Sequence, residues 1–359
     1  MTAARHLYVH VPFCGHRCGY CDFVTVTGNE RLHGRYVDAL LVELGRAHVD
    51  PDTVFVGGGT PSLLADELLA RLLAGLPAAG ELTVECNPET ITPAKARVLV
   101  EGRVNRVSLG AQSFRPRLLE VLDRQADPAS VREAVLTLRR AGLQNLNLDL
   151  MFGVPGQTAD DLRRDLEDAL SLEPEHISYY ELEAKPGTRF THAHGAELAR
   201  QAEAMEEFYE EVVETLRGAG FRWYETANFC RPGRSAEHNV GYWLGHDYLG
   251  VGIGAVSTLG LERRRNLPSL PRYLDAVERG ARPPAEVELL TADERALERL
   301  MLGLRLDRPL PVNGARPLLD PAAVERLSRE GMLVDDGELL QLSDRGRFLA
   351  DEVVATILR

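Results

Sequence analysis

Apolar, β-branched runs recur through the first half of the chain, at Leu7–Val11, Thr53–Val56, Leu82–Cys86, Val104–Leu109, Asn145–Met151 and His176–Leu182. Between them lie stretches whose apolar residues return every three to four positions, among them Arg35–Ala47, Asp66–Leu76, Pro93–Glu101, Ala129–Ala141 and Ala159–Leu170. Several close at a glycine, as helices do. The pattern predicts strand then helix, repeated six times. Such alternation calls for parallel strands joined by right-handed crossovers. Six units make most of a barrel but fall short of the roughly eight that close one. Residues 1–225 are expected to form an α/β unit, a partial (β/α)6 TIM-like barrel.

The alternation stops there. Residues 226–289 read as a connecting segment with a glycine-rich stretch, Tyr248-Leu-Gly-Val-Gly-Ile-Gly-Ala-Val-Ser257. Glycines at alternate positions predict a strand or loop packed closely against a ligand or another backbone. Residues 290–359 read as a smaller C-terminal α+β, winged-helix-like domain: a helix at Val324–Glu330, then two strands across Met332–Leu342 around an Asp336-Gly337 turn. A winged helix invites comparison with DNA-binding units, but this one carries ten arginines against thirteen acidic residues. It lacks the positive field that phosphate recognition needs, so a lid or wall for the barrel is the expected role.

The whole chain agrees. It has 41 basic and 54 acidic residues for a net charge of −13, which argues against a nucleic-acid partner. At 359 residues and 44 % apolar composition it suits a globular protein. No apolar run reaches the roughly 18 residues that span a bilayer, so no transmembrane segment is expected. Five cysteines with no secretory segment point to a reducing, cytoplasmic setting.

The candidate chemistry begins with Cys14, Cys18 and Cys21 in Val11-Pro-Phe-Cys-Gly-His-Arg-Cys-Gly-Tyr-Cys-Asp-Phe23. Thiolates at short spacing hold iron–sulfur clusters. Three ligands with Phe23 at the next available position would leave one iron open to a small molecule. A structural zinc site, Cys18 and Cys21 completed by His10 and His16, is the alternative. Cys86 and Cys230 read as small buried side chains. Barrel function sits at the carboxyl ends of strands, where this sequence places Gly57-Gly-Gly-Thr-Pro-Ser62, Glu85-Cys-Asn-Pro88, Gly110-Ala-Gln-Ser-Phe114 and Asp149-Leu-Met-Phe-Gly-Val-Pro155. Adjacent glycines let main-chain amides approach a ligand closely. The run lacks the Lys-Ser/Thr ending of a nucleotide phosphate loop.

The spacing Cys-x3-Cys-x2-Cys, with Tyr20 before the last cysteine, resembles the signature of the radical S-adenosylmethionine (SAM) superfamily. That resemblance implies a [4Fe–4S] cluster on the three cysteines, SAM chelating the fourth iron, and an electron donor whose identity the sequence leaves open. Tyr8, the glycine run, Glu85, Asn105-Arg-Val-Ser-Leu-Gly-Ala-Gln-Ser-Phe114 and Asp149–Pro155 narrow it: together they are similar to the oxygen-independent coproporphyrinogen III oxidase family and its HemW-like haem-chaperone branch. By that resemblance Tyr8 contacts the methionyl group of SAM. Gly58, Gly59 and Thr60 meet its amino and carboxylate ends, and Glu85, Gln112, Arg124 and Asp149 surround it. The backbone near Tyr20 and Val256 flanks the adenine or a second SAM.

Two features separate the branches. The oxidases carry a fourth cysteine where this chain has Phe23, and His238-Asn-Val-Gly-Tyr-Trp243 resembles a run that the chaperone branch associates with haem binding. Histidine is a common axial haem ligand, and a Tyr-Trp pair offers a flat apolar surface. His238 can equally serve as a hydrogen-bonding residue within the fold. The resemblance therefore implies a haem chaperone using His238 and Asn239 and passing haem to apoproteins such as membrane respiratory enzymes. A coproporphyrinogen III oxidase in porphyrin biosynthesis is the alternative. One departure stands near Arg124: the family commonly has Gly and His where this chain has Asp123 and Ala126.

Overall fold

A computed structural model describes residues 4–47, 49–183, 189–201, 204–312 and 314–359. Strands β1 (His6–Val11), β2 (Thr53–Gly58), β3 (Glu81–Cys86), β4 (Arg106–Gln112), β5 (Leu146–Phe152) and β6 (His176–Glu181) lie side by side in sequence order, each parallel to the next. Helices α1 (His33–Gly45), α2 (Asp66–Ala74), α3 (Pro93–Glu101), α4 (Pro116–Val121), α5 (Pro128–Ala141) and α6 (Ala159–Leu170) fill the crossovers. This is the partial barrel that the alternation calls for. The expected segment boundaries differ by a few residues, and α4 is a short helix that the periodicity does not reveal.

Strand pleat explains the barrel's two faces. Alternate residues such as Leu7, Val9 and Val11, Val54 and Val56, and Leu146, Leu148 and Leu150 are fully buried in the main apolar core with the helices. The residues between them are polar or aromatic: His6, Tyr8 and His10 on β1, Thr53 and Phe55 on β2, Glu81, Thr83 and Glu85 on β3. Parallel sheets covered on both faces usually read as continuous apolar runs. Here the inner face carries the polar groups, which suits a barrel that holds ligands. Local signals fix the helices: Thr92 caps α3, capping boxes start α5 at Asp127 and α6 at Thr158, and Gly142 (φ 105°) ends α5.

Residues 222–289 extend this sheet at both edges. After α7 (Arg189–Gln201) and α8 (Met205–Gly218), strands β7 (Arg222–Glu225) and β8 (Asn228–Cys230) add antiparallel beside β6. Helix α9 (Glu237–Trp243) follows, and β9 (Tyr248–Val251) then pairs parallel with β1. Strands β10 (Val256–Leu259), β11 (Glu262–Asn266) and β12 (Ala285–Leu289), the last two bracketing α10 (Leu270–Glu278), complete a twelve-stranded sheet. The glycine-rich stretch is β9 and the turn after it. A Cβ at Gly250 would lie 2.2 Å from the Val256 carbonyl oxygen, so the close neighbour there is backbone.

The C-terminal part starts with α11 (Ala292–Gly303), which packs on α9. It continues through β13 (Leu310–Pro311), α12 (Pro321–Arg329) and the hairpin β14 (Leu333–Asp335) and β15 (Leu339–Leu342), and it ends in α13 (Asp344–Phe348) and α14 (Ala350–Ile357). It has an apolar core of its own. Arg222–Asp307, Arg305–Glu225 and Arg217–Asp344 ion pairs join it to the barrel, and Arg347 stacks over Trp223.

Candidate cluster and ligand site

The cysteine loop leaves β1 and folds over the end of β2. Val26 N donates to Pro12 O (2.8 Å) and Cys14 N to Val26 O (3.0 Å), which closes the loop at its base. Each glycine of Gly57–Gly59 has its own steric reason. A Cβ at Gly57 would meet Glu85 Oε2 at 2.7 Å, one at Gly58 would meet the His10 ring at 2.4 Å, and one at Gly59 would meet the Pro12 backbone at 2.6 Å. Gly58 also has φ 113°. The amides are already committed: Gly58 N donates to Glu85 Oε2 (2.9 Å), Gly59 N to Val11 O (2.8 Å) and Thr60 N to Phe13 O (2.7 Å). The glycines thus allow close packing of the strand ends, and the Gly58, Gly59 and Thr60 amides have acceptors within the protein.

The thiols are half-buried. Thr60 Oγ1 donates to Cys14 Sγ (3.6 Å), and Arg124 Nη1 donates to Cys18 Sγ (3.9 Å). Arg124 also donates to Asn87 Oδ1 (3.1 Å) and Gly110 O (2.8 Å), and Asn87 Nδ2 donates to Thr60 Oγ1 (3.2 Å). One network therefore joins the cysteine loop to the ends of β2, β3 and β4. Burial pushes the Cys14 thiol up; the Thr60 hydroxyl opposes this, and the Cys21 and Cys18 charges add to it. Burial likewise raises Cys21. Among the described residues no three His, Cys, Asp or Glu side chains are grouped to hold a metal ion. The histidines that would complete a zinc site are engaged elsewhere: His10 with Tyr8 Oη (3.0 Å) and Val24 O (2.8 Å), His16 with Asp123 (2.8 Å). A four-iron cluster takes one thiolate per iron, and three soft donors beside a cation fit it better than a nitrogen-completed zinc site. Phe23 is 68 % exposed and leaves the local ligand count at three.

Asp123 has φ 56°, a conformation glycine adopts freely, which is why glycine suits this position in the resembling family. Gln112 is also left-handed (φ 65°), at a register shift between β4 and β5. Bulges and such backbone strain concentrate beside ligand sites. Glu85 is pushed up to about 7, chiefly by burial; the Gly58 amide opposes the shift and the Asp149 charge adds to it. Burial also raises Asp149, which accepts from Ser108 (2.9 Å) and Asn147 (2.8 Å). Tyr20 packs edge-on against Phe190.

The remaining site residues meet in a cavity of about 570 Å³ lined by Tyr8, His238, Asn239 and Val256 together with Phe55, Tyr242, Tyr248 and Asp22–Val24. Tyr8 stacks on Phe55 (28° between planes), and Phe55 stacks on His238 (29°). His238 is 1 % exposed; Nδ1 lies 2.8 Å from Thr53 Oγ1 and Nε2 3.1 Å from Tyr242 Oη. Its backbone N, with that of Glu237, donates to Glu81, which seats α9 against the first residues of β2 and β3. His238 thus stands near the amino ends of the strands, and the cavity runs from there to the residues after the cysteines. Of the expected Tyr-Trp surface only Tyr242 lines the cavity; Trp243 packs with Tyr224 and Leu306 under Arg305, because α9 is wedged between barrel and C-terminal part. Sequence reasoning missed Phe55, Tyr248 and the role of Asn87.

Residues 8–169 match the radical SAM superfamily and residues 290–349 the HemN C-terminal domain. The fold is likewise that of coproporphyrinogen III oxidase HemN of Escherichia coli, with a TM-score of 0.83 at 22 % identity, covering 99 % of this chain and 90 % of that one. A radical SAM protein is the class that fold and cysteine loop define, and the class implies a [4Fe–4S] cluster and SAM. Over 98 % of its length the chain is 38 % identical to the heme chaperone HemW of Mycobacterium tuberculosis, covering 94 % of that protein. Over 99 % it is 32 % identical to the heme chaperone HemW of Bacillus subtilis, covering 99 % of it. The chain belongs to the HemW family within the radical SAM superfamily. No helix among the described residues is long and apolar enough to cross a membrane.

Proposed function

We propose that this protein is a cytoplasmic haem chaperone, binding haem in the cavity beside its cluster loop and delivering it to haem-requiring apoproteins, membrane respiratory enzymes included. The observation that carries this reading is the joining of the His238-Asn239 helix, a stacked aromatic wall and the residues after Cys21 in one cavity. Its walls suit a flat apolar macrocycle. Burial, followed by the His6 and Arg106 charges, lowers His238 to about 3, so its imidazole is neutral at physiological pH, the form that binds iron. The names of the two full-length relatives support the same reading.

In it, Cys14, Cys18 and Cys21 hold the cluster, and Gly58, Gly59, Thr60, Glu85, Gln112, Arg124 and Asp149 form the SAM pocket with Tyr8, Tyr20 and Val256. When bound, cluster and SAM supply one-electron cleavage of a carbon–sulfur bond. The protein's own residues orient and shield. Arg124 holds the strand ends against Cys18, Tyr8 is fixed by His10, and Glu85 is poised to lose its proton when a cationic ligand group arrives.

The test is anaerobic reconstitution with iron and sulfide, followed by haem titration and, separately, by coproporphyrinogen III with SAM and a reductant. Stoichiometric haem binding weakened by His238→Ala, without protoporphyrinogen formation, is expected. Product formation that stops on Cys18→Ser overturns the reading in favour of an oxidase.

A further inference from the structure

The cavity has a charged edge that its aromatic wall does not explain. The pleat of β11 turns Arg263 and Arg265 toward the cavity and Arg264 away, where it donates to Pro283 O. The two arginines are not equivalent. Arg263 is held by Glu298 through two contacts of 2.7 Å, with Glu288 at 3.7 Å. Arg265 stands opposite Val256 in the ladder, and among the described residues it makes no ion pair. Glu286 is its partner in register on β12, and among the described residues Asp22 is the one carboxylate that lines the cavity.

Tyr8, Phe55 and His238 stack on one another in a row, and with Tyr242 and Tyr248 they give the cavity an aromatic lining that suits an apolar conjugated ligand. A guanidinium with its donors uncommitted selects a carboxylate, which it binds through two parallel hydrogen bonds. We propose that Arg265 is the carboxylate anchor of the cavity, whose occupant is a planar tetrapyrrole carrying ionised carboxylates along one edge. The assignment rests on the haem reading and sharpens it: Arg265 would hold a propionate of a haem whose iron His238 would take.

The experiment compares iron protoporphyrin IX with its dimethyl ester, which keeps ring and metal but has no ionisable carboxylates. Affinities are measured by absorbance titration on the full, reconstituted chain. Wild type is expected to bind the acid about 10- to 100-fold more tightly than the ester, the range of one or two charge-assisted bonds. Arg265→Ala should bring the acid down to the ester's affinity and leave the ester unchanged, Arg265→Lys should restore part of the gap, and Arg264→Ala should keep it whole. An Arg265→Ala protein that keeps the full preference overturns the anchor while leaving haem binding intact. So does a wild type that binds acid and ester alike. A wild type that binds neither overturns the haem reading and the anchor with it.

Discussion

Tyr242 Oη lies 3.1 Å from Nε2 of His238 while Thr53 Oγ1 lies 2.8 Å from Nδ1, so both ring nitrogens have partners within the protein. If His238 binds haem iron through Nε2, the Tyr242 contact must break first. Tyr242→Phe removes that competitor and keeps the ring, and it should tighten haem binding by about 3- to 10-fold, the worth of one neutral hydrogen bond. An unchanged affinity would show that Nε2 is not the ligating atom.

Glu85 gives a pH signature. Its folded value of about 7 lies above the unfolded value near 4.5, so between those limits the folded state binds more protons. This contribution to stability is fully present below about pH 4.5 and is lost as pH rises through 7. Glu85→Gln has no such proton. In protein free of cluster and SAM, its stability relative to wild type should rise by about 3 kcal/mol from pH 4.5 to 8, read by urea unfolding at both pH values. A pH-independent difference would place the Glu85 carboxyl in a wetter site than the structure gives it.

Gly59 needs space, and its neighbours cannot yield. An alanine Cβ would sit 2.6 Å from Pro12 C and O and 2.7 Å from Phe13 O, all backbone of the segment that enters the cysteine loop. Gly59→Ala should destabilise by about 1–3 kcal/mol and lower the iron content after reconstitution. Gly45→Ala, where a new Cβ meets nothing within 4 Å, should do neither. Equal iron content in both variants would contradict this account of the glycine run.

What the sequence made legible follows the physics of each signal. The outward faces of β1–β6 are apolar at every second position, and the helices between them have caps and glycine stops, so the barrel was readable. The three cysteines were readable because their spacing has few other uses. Phe55 was not, since in Thr53-Val-Phe-Val56 an inward aromatic looks like one more core residue. Arg265 sat in a charged run that reads as a solvated face. The seven-residue α9 is too short for periodicity, and its position against the amino ends of β2 and β3 depends on Glu81, 156 residues away from the Glu237 amide it accepts from. Long-range pairing of that kind leaves no local trace.

The Thr60 hydroxyl offers a way to read the cluster from the protein side. It donates to Cys14 Sγ at 3.6 Å and accepts from Asn87, whose own carbonyl oxygen accepts from Arg124. Hydrogen bonds to ligating sulfur favour the reduced, more negative form of a cluster and so raise its potential. Thr60→Val keeps the shape and removes the donor. The reduction potential of the reconstituted cluster should fall by tens of millivolts, on the scale of one hydrogen bond at about 59 mV per tenfold change for one electron. Iron content should stay at the wild-type level, because all three thiolates remain. The readout is a redox titration followed by electron paramagnetic resonance of the reduced state. A potential that does not move would mean that Thr60 only braces Asn87; a loss of iron would mean that the hydroxyl positions Cys14 and does not tune it.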